Sequence, residues 1–268
     1  LIFFGISKMA VNDNGIPITT MIAFVIGSVV SIGSILWTLK STKEIPLTEE
    51  EKAEIKASPM GIKSTFVDIW EAIKEMPLTM RQMIPMMFFT WYAMFIYWIY
   101  IAKTLSRSVY GATESSASGF RDADILSGQI GAFYNFIAFV SAFGLAWLAK
   151  KYGAKYIHAI CLSLAGVGLF VLPSISNPYL VFIPMIGMGL SWASMMGNPY
   201  VILAGSIPPK RTGVYMGIFN MFIVIPMLLQ NVTMPLYYES WLANNPINAM
   251  KLAGVMLLLG AISTFFIR

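Results

Sequence analysis

One cysteine and one histidine stand in 268 residues, and only 12% of the side chains carry charge. A lone cysteine excludes an internal disulfide framework. Cys161 sits in an apolar run and reads as packing. A lone histidine excludes a histidine-based metal site, and His158, following Lys155 at the edge of an apolar run, is not read as a proton switch. Carboxylates are scarce where they would matter most. Of the 13 acids, Asp13, Glu114, Asp122, Asp124 and Glu239 lie in loops or at the ends of apolar runs, and the other eight lie in one stretch, 40–81. An intramembrane acid is the usual proton or sodium relay, so any such relay is expected outside these residues. A membrane hydrolase or transferase needs clusters of Asp, His or Cys at depth. None is present, so no enzymatic role, cofactor or metal is expected.

What is abundant is hydrocarbon. The chain is 57% hydrophobic with a mean hydropathy of +0.70. A soluble domain is roughly a quarter charged. So few polar groups cannot cover a surface in water, and the bilayer is the solvent. A span needs about 20 apolar residues. Seven runs qualify: 18–39, 83–102, 126–149, 156–173, 179–206, 213–236 and 249–267. Residues 1–6 read as the end of an earlier span. The expectation is an all-α, multi-pass integral membrane protein, and a piece of a larger one.

The net charge of +5 does not indicate nucleic acid, because the cations sit between spans, where they set topology. With 40–81 placed inside, only Lys8, Lys103, Arg107, Arg121 and Lys251 of the 18 Lys and Arg fall outside. The 40–81 loop is therefore expected in the cytoplasm. Within it, Thr48 and Glu51 have capping-box spacing. Phe66, Ile69, Trp70 and Ile73 recur at helical spacing, which predicts an amphipathic helix on the inner membrane face, stopped by Pro77. Three regions follow: 1–39 as the end of one bundle, 40–81 as a connector, and 82–268 as a six-helix bundle.

Neutral polar residues remain inside the spans. Amides in hydrocarbon are costly unless paired or facing water, so they are expected to line a cavity or to join helices. Gln129, Asn135, Asn198 and Asn220 are the candidates, together with Trp91 and Tyr92 from the aromatic run 88–100. An aromatic ring beside amides suits the apolar face and hydroxyls of a sugar, and it serves drugs or peptides equally. Gly187, Gly189, Gly197 and Pro199 predict an interrupted helix of the kind transporters place near their sites. Gly213 and Gly217, with Asn220 on the same face, predict a close helix contact. "SGQIGAFYNF" and "TGVYMGIFNMF" each set small residues before an Asn, as two repeats would. Lys210 and Arg211 mark an inner helix end and are expected to anchor topology and to contact an inner gate.

Four stretches carry a resemblance: "KEIPL" at 43–47, "TWYAMFIYW" at 90–98, "SRSVYGA" at 106–112 and "GVYMGIFNMFIVIPML" at 213–228. With seven spans around a long inner loop, the chain resembles the sixth to twelfth helices of a major facilitator superfamily transporter. Within that superfamily it is similar to the sugar:cation symporter branch, which includes plant sucrose–proton symporters and glycoside-pentoside-hexuronide symporters. The resemblance implies cation-coupled uptake of a sugar or glycoside, such as a disaccharide, by alternating access. The implied partners are a sugar, a proton or sodium ion and the lipid bilayer, with the full-length chain acting as a monomer, in a bacterial inner membrane. One departure stands out: Lys103 and Arg107 occupy the region where relatives commonly carry an acid. Those cations keep an organic anion open as an alternative cargo. A non-transporting sugar sensor is a second alternative.

Overall fold

A computed structural model describes residues 18–42, 48–49, 52–53, 61–113 and 118–268. The described residues form eight α-helices, two short 3-10 turns and no strand. The helices are α1 (Ile18–Ser41), α2 (Ile62–Lys74), α3 (Leu78–Ser108), α4 (Ser118–Tyr152), α5 (Ala154–Val171), α6 (Phe182–Ala204), α7 (Thr212–Tyr238) and α8 (Pro246–Thr264). The chain divides into two compact units, 1–67 and 68–268. The division falls inside the expected connector. The capping-box reading at 48–51 and the motif at 43–47 lie largely outside the described residues.

In the first unit, α1 is apolar on every side, as a helix solvated by lipid or by other helices must be. Its hydroxyls turn back on their own helix: Ser34 Oγ donates to the Ser31 carbonyl at 2.8 Å and Thr38 Oγ1 to the Ser34 carbonyl at 2.9 Å. That removes polar groups from the apolar surface without a partner helix.

Seven helices stand at the places of the seven expected spans, and most run further than the apolar count. Helix α3 has 31 residues and α4 has 35. A helix does not stop where its apolar residues stop; it propagates until the backbone is broken. Pro77 stands at the N-cap of α3, and Gly111 and Gly153 take φ of 63° and 96° just after α3 and α4. Those left-handed angles favour glycine and end a helix. Helix α8 opens on Asn245, whose Oδ1 accepts from the Ile247 amide at 3.1 Å, with Pro246 in the first turn.

Six of the helices are long and apolar enough to cross a membrane. Helix α6 is the seventh expected span. It has the length, 23 residues, but is not among those six. It also corrects a second expectation: the helix is not interrupted and runs through Pro199 to Ala204.

Helix α3 is the hub of the second unit, packing against α4, α7 and α8. Helix α5 packs against α6 and α8, and α6 also against α4. Helix α7 rests chiefly on α3. The core is rich in methionine, with Met80, Met83, Met86 and Met94 all fully buried, a side chain that fills irregular gaps between helices. Helices meet most closely at glycines. A Cβ on Gly254 of α8 would stand 2.7 Å from the Gly166 carbonyl oxygen of α5, and one on Gly189 of α6 would stand 2.6 Å from the Tyr134 carbonyl oxygen of α4. These, and not Gly213 or Gly217, are the close crossings: around both of those the space is open to 4 Å.

The amphipathic helix is present as α2, and its apolar residues divide between two faces. Ala72 is fully buried, and Ile69 and Ile73 pack on the bundle core. Phe66 and Trp70 point away, 69% and 58% exposed, with the Lys74 ammonium 5.5 Å above the Trp70 ring.

Candidate functional site

The densest group of aromatic side chains in the bundle is built by three helices. Trp91 and Trp98 lie seven residues apart on α3, two helical turns, and share a face. Their ring centres are 6.5 Å apart. Trp192 of α6 stands 6.3 Å from Trp91 and 5.9 Å from Trp98, edge to face with both. Tyr134 of α4 completes the wall at 6.4 Å from Trp192. Behind it, Tyr97 contacts Tyr134 at 6.1 Å and donates its hydroxyl to Met185 Sδ at 3.8 Å. Each such pair contributes roughly 0.5–1.5 kcal/mol beyond burial, so the wall is held rigid from behind. Its depth is graded: Trp91 is 6% exposed and Trp98 37%, with Trp192 half-buried. An uncharged wall buried at one end and open at the other can hold the apolar face of a flat, neutral molecule.

The candidate residues named from sequence separate into five places. Trp91 stands in the aromatic wall. Tyr92, one residue on, is turned by 100° and serves a different contact. Its hydroxyl lies 2.7 Å from Thr233 Oγ1 and 2.6 Å from the Tyr237 hydroxyl, joining α3 to α7. Asn198 is 5% exposed and lies in the α5–α6 interface, its Nδ2 donating to Ser194 Oγ at 2.7 Å. Gln129 is half-buried on α4. Asn135 and Asn220 are exposed on the outside of this unit, and Asn135 returns its amide to the Gly131 carbonyl at 2.8 Å. The wall residues that sequence reasoning missed are Trp98, Trp192 and Tyr134. Tyr134 is the neighbour of Asn135, and one step along a helix exchanges an inward for an outward direction. Trp192 stands in a run of small residues, "GLSWAS", whose one large ring is the available signal.

His158 is another surprise. It is 1% exposed, not at an open edge, and its Nδ1 lies 2.9 Å from Ser194 Oγ. Charged residues stand at both ends of the bundle, and several are bonded at one of them. Arg211 Nη1 donates to Glu75 Oε2 at 2.5 Å, and the Tyr215 hydroxyl reaches the Glu75 carbonyl at 3.4 Å. Lys155 Nζ donates to the Ile267 carbonyl at 2.8 Å, and Arg81 Nη2 to the Lys74 carbonyl at 2.6 Å. The side chain of Lys210 lies outside the described residues. At the other end, Arg107 Nη1 donates to Asn245 Oδ1 at 3.3 Å, and the Lys103 ammonium lies 5.6 Å over the Tyr100 ring. Among the described residues, no group of three or more His, Cys, Asp or Glu could hold a metal ion.

Two comparisons with known proteins bear on this arrangement. The model of one family, the Major Facilitator Superfamily, matches residues 14–230. A search of curated proteins returned no match.

Proposed function

This chain belongs to the major facilitator superfamily of membrane transporters, and from that premise we propose that it moves a sugar or glycoside by alternating access, coupled to a proton or sodium ion. The observation that carries the reading is the wall of Trp91, Trp98, Trp192 and Tyr134. It is uncharged, rigid and graded from buried to open. A pyranose ring presents an apolar C–H face that stacks on such rings, while its hydroxyls need amides or water. Gln129 and the exposed Asn135 and Asn220 supply amides on the outer surfaces of the same bundle, where a second bundle would face them. Transporters of this type bind cargo between two bundles that rock about it.

The anion alternative draws less support. It rests on Lys103 and Arg107, and Arg107 is already committed to Asn245, with Lys103 held over a ring. Arg211 and Glu75 fit a gate contact at the basic end. With both partners largely exposed, such a pair contributes roughly 0.2–1 kcal/mol, small enough to break and reform in each cycle.

The test is uptake of a panel of labelled disaccharides and monosaccharides into proteoliposomes under an imposed proton or sodium gradient, with and without an uncoupler. Gradient-dependent uptake of one sugar supports the reading. Uptake of organic anions with no sugar competing against them would overturn it in favour of the alternative cargo.

A further inference from the structure

We propose that His158, Ser194 and Asn198 form a proton-binding site inside the bundle, on a face of α6 different from the one that carries Trp192. The inference rests on the transporter reading above and supplies the coupling group that reading lacks. No carboxylate lies inside a span of this chain. His158 is then the one side chain at depth whose ordinary titration range is near neutrality.

The geometry is specific. Asn198 Nδ2 donates to Ser194 Oγ at 2.7 Å. Ser194 Oγ lies 2.9 Å from His158 Nδ1, and with its own proton and a second lone pair it can donate to that nitrogen or accept from it. With that hydroxyl donating, the ring is the neutral tautomer with its proton on Nε2, and in either direction Nε2 has no partner among the described residues although it is fully buried. Ser191, one turn before Ser194 on the same helix face, also has a buried hydroxyl without a partner. A histidine kept only for packing would be expected to have both nitrogens satisfied. Here one nitrogen is held by a hydroxyl that can reverse its direction, and the other is left for a partner that comes and goes.

The ionisable groups on the helices packed around this ring are few. On α5 itself they are Lys155, Tyr156 and Cys161, with Lys155 bonded to the Ile267 carbonyl. At the adjoining end of α4 stand Lys150, Lys151 and Tyr152, all exposed. Helix α6 offers Tyr200, whose ring lies 5.2 Å from Phe219. Helix α8 offers no ionisable group at this end, and the exposed Arg268 follows it. Among the described residues no carboxylate is bonded to the ring, so protonation requires water to reach the α5–α6 interface. When it does, a proton from water binds Nδ1. The Ser194 hydroxyl turns from donor to acceptor, with its own hydrogen going to a backbone carbonyl a turn back. The reverse step releases the proton to the opposite side.

Because His158 is the only histidine, its ring nitrogens can be observed without assignment. The experiment is 15N and 13C NMR of histidine-labelled protein, purified on a histidine-free tag, in nanodiscs from neutral to acid pH. The expected result is a neutral ring at pH 7.5 with the proton on Nε2. On acidification a second, doubly protonated signal should appear in slow exchange, and Ser194→Ala should shift the Nδ1 resonance. Asn198→Ser gives the same readout should Ser194→Ala not fold. A ring that titrates in fast exchange like free imidazole, untouched by either variant, would overturn the proposal. So would a ring that stays neutral until the protein unfolds.

Transport supplies the second arm. His158→Gln should lose concentrative uptake while part of the substrate exchange survives. Equal loss of both points to a structural histidine and counts against the site. Absence of any gradient-driven flux in the parent transporter counts instead against the transporter reading, and the NMR result then decides the site alone.

Discussion

Replacing Gly254 by alanine is the most direct test of how the bundle is held together. The added Cβ would stand 2.7 Å from the Gly166 carbonyl oxygen and 2.7 Å from the Phe170 amide nitrogen. Both are backbone atoms of α5, so no side chain can swing aside, and the helices must separate. Overpacking of this kind costs about 1–3 kcal/mol. For a protein of this size, that lowers the melting temperature by roughly 2–12 °C, taking about 2–4 °C per kcal/mol. Gly217→Ala is the control. The space around Gly217 is open, and removing a mid-helix glycine stabilises by about 0.5–1 kcal/mol, so its melting temperature should hold or rise. Cys161 provides the assay. It is the only cysteine and is 2% exposed, so a thiol-reactive dye fluoresces only as the bundle opens. The reasoning is refuted if Gly254→Ala melts with the parent, or if Gly217→Ala is the damaging change. The second result would mean that another helix lies against α7, as the sequence alone suggested.

Three further outcomes follow. Truncating Trp192 to alanine removes a stacking partner worth roughly 0.5–1.5 kcal/mol, so sugar affinity should fall about 2- to 13-fold, while Trp192→Phe keeps most of it; tryptophan quenching by the transported sugar measures both. Tyr237→Phe deletes one hydrogen bond between α3 and α7, at about 1 kcal/mol, and should lower the melting temperature without changing Trp192 quenching. A double-mutant cycle on Arg211→Gln and Glu75→Gln should give a coupling below about 1 kcal/mol that fades at high salt; a coupling several times larger would mean that the pair is buried in the working protein.

Composition settled the solvent, the helical class and the number of long helices before any coordinate was needed. Hydrocarbon offers no partner for backbone amides, so long apolar runs must become helices. Local breakers settled where those helices end, as Pro77 and Gly153 show. The loop helix was legible for the same reason: spacing on a short amphipathic stretch is a local property. What sequence could not decide was direction across the bundle. In water, polarity tells the inside from the outside. In a membrane both sides of a helix are apolar, and that signal is lost. Asn135 and Tyr134 differ by one residue, and the polar one was named while the aromatic one lies in the wall. Gly213 and Gly217 have the spacing of a packing strip, yet the close crossings fall at Gly254, Gly166 and Gly189. Nothing in a single helix says which neighbour it meets. His158, placed by sequence at a span edge, proves buried because α6 crosses over it and offers Ser194. The aromatic wall and the His158–Ser194–Asn198 cluster each draw on helices far apart in the chain. Only the packing of α3, α4, α5 and α6 brings them within bonding distance, because contact between distant segments is decided by shape and not by hydropathy.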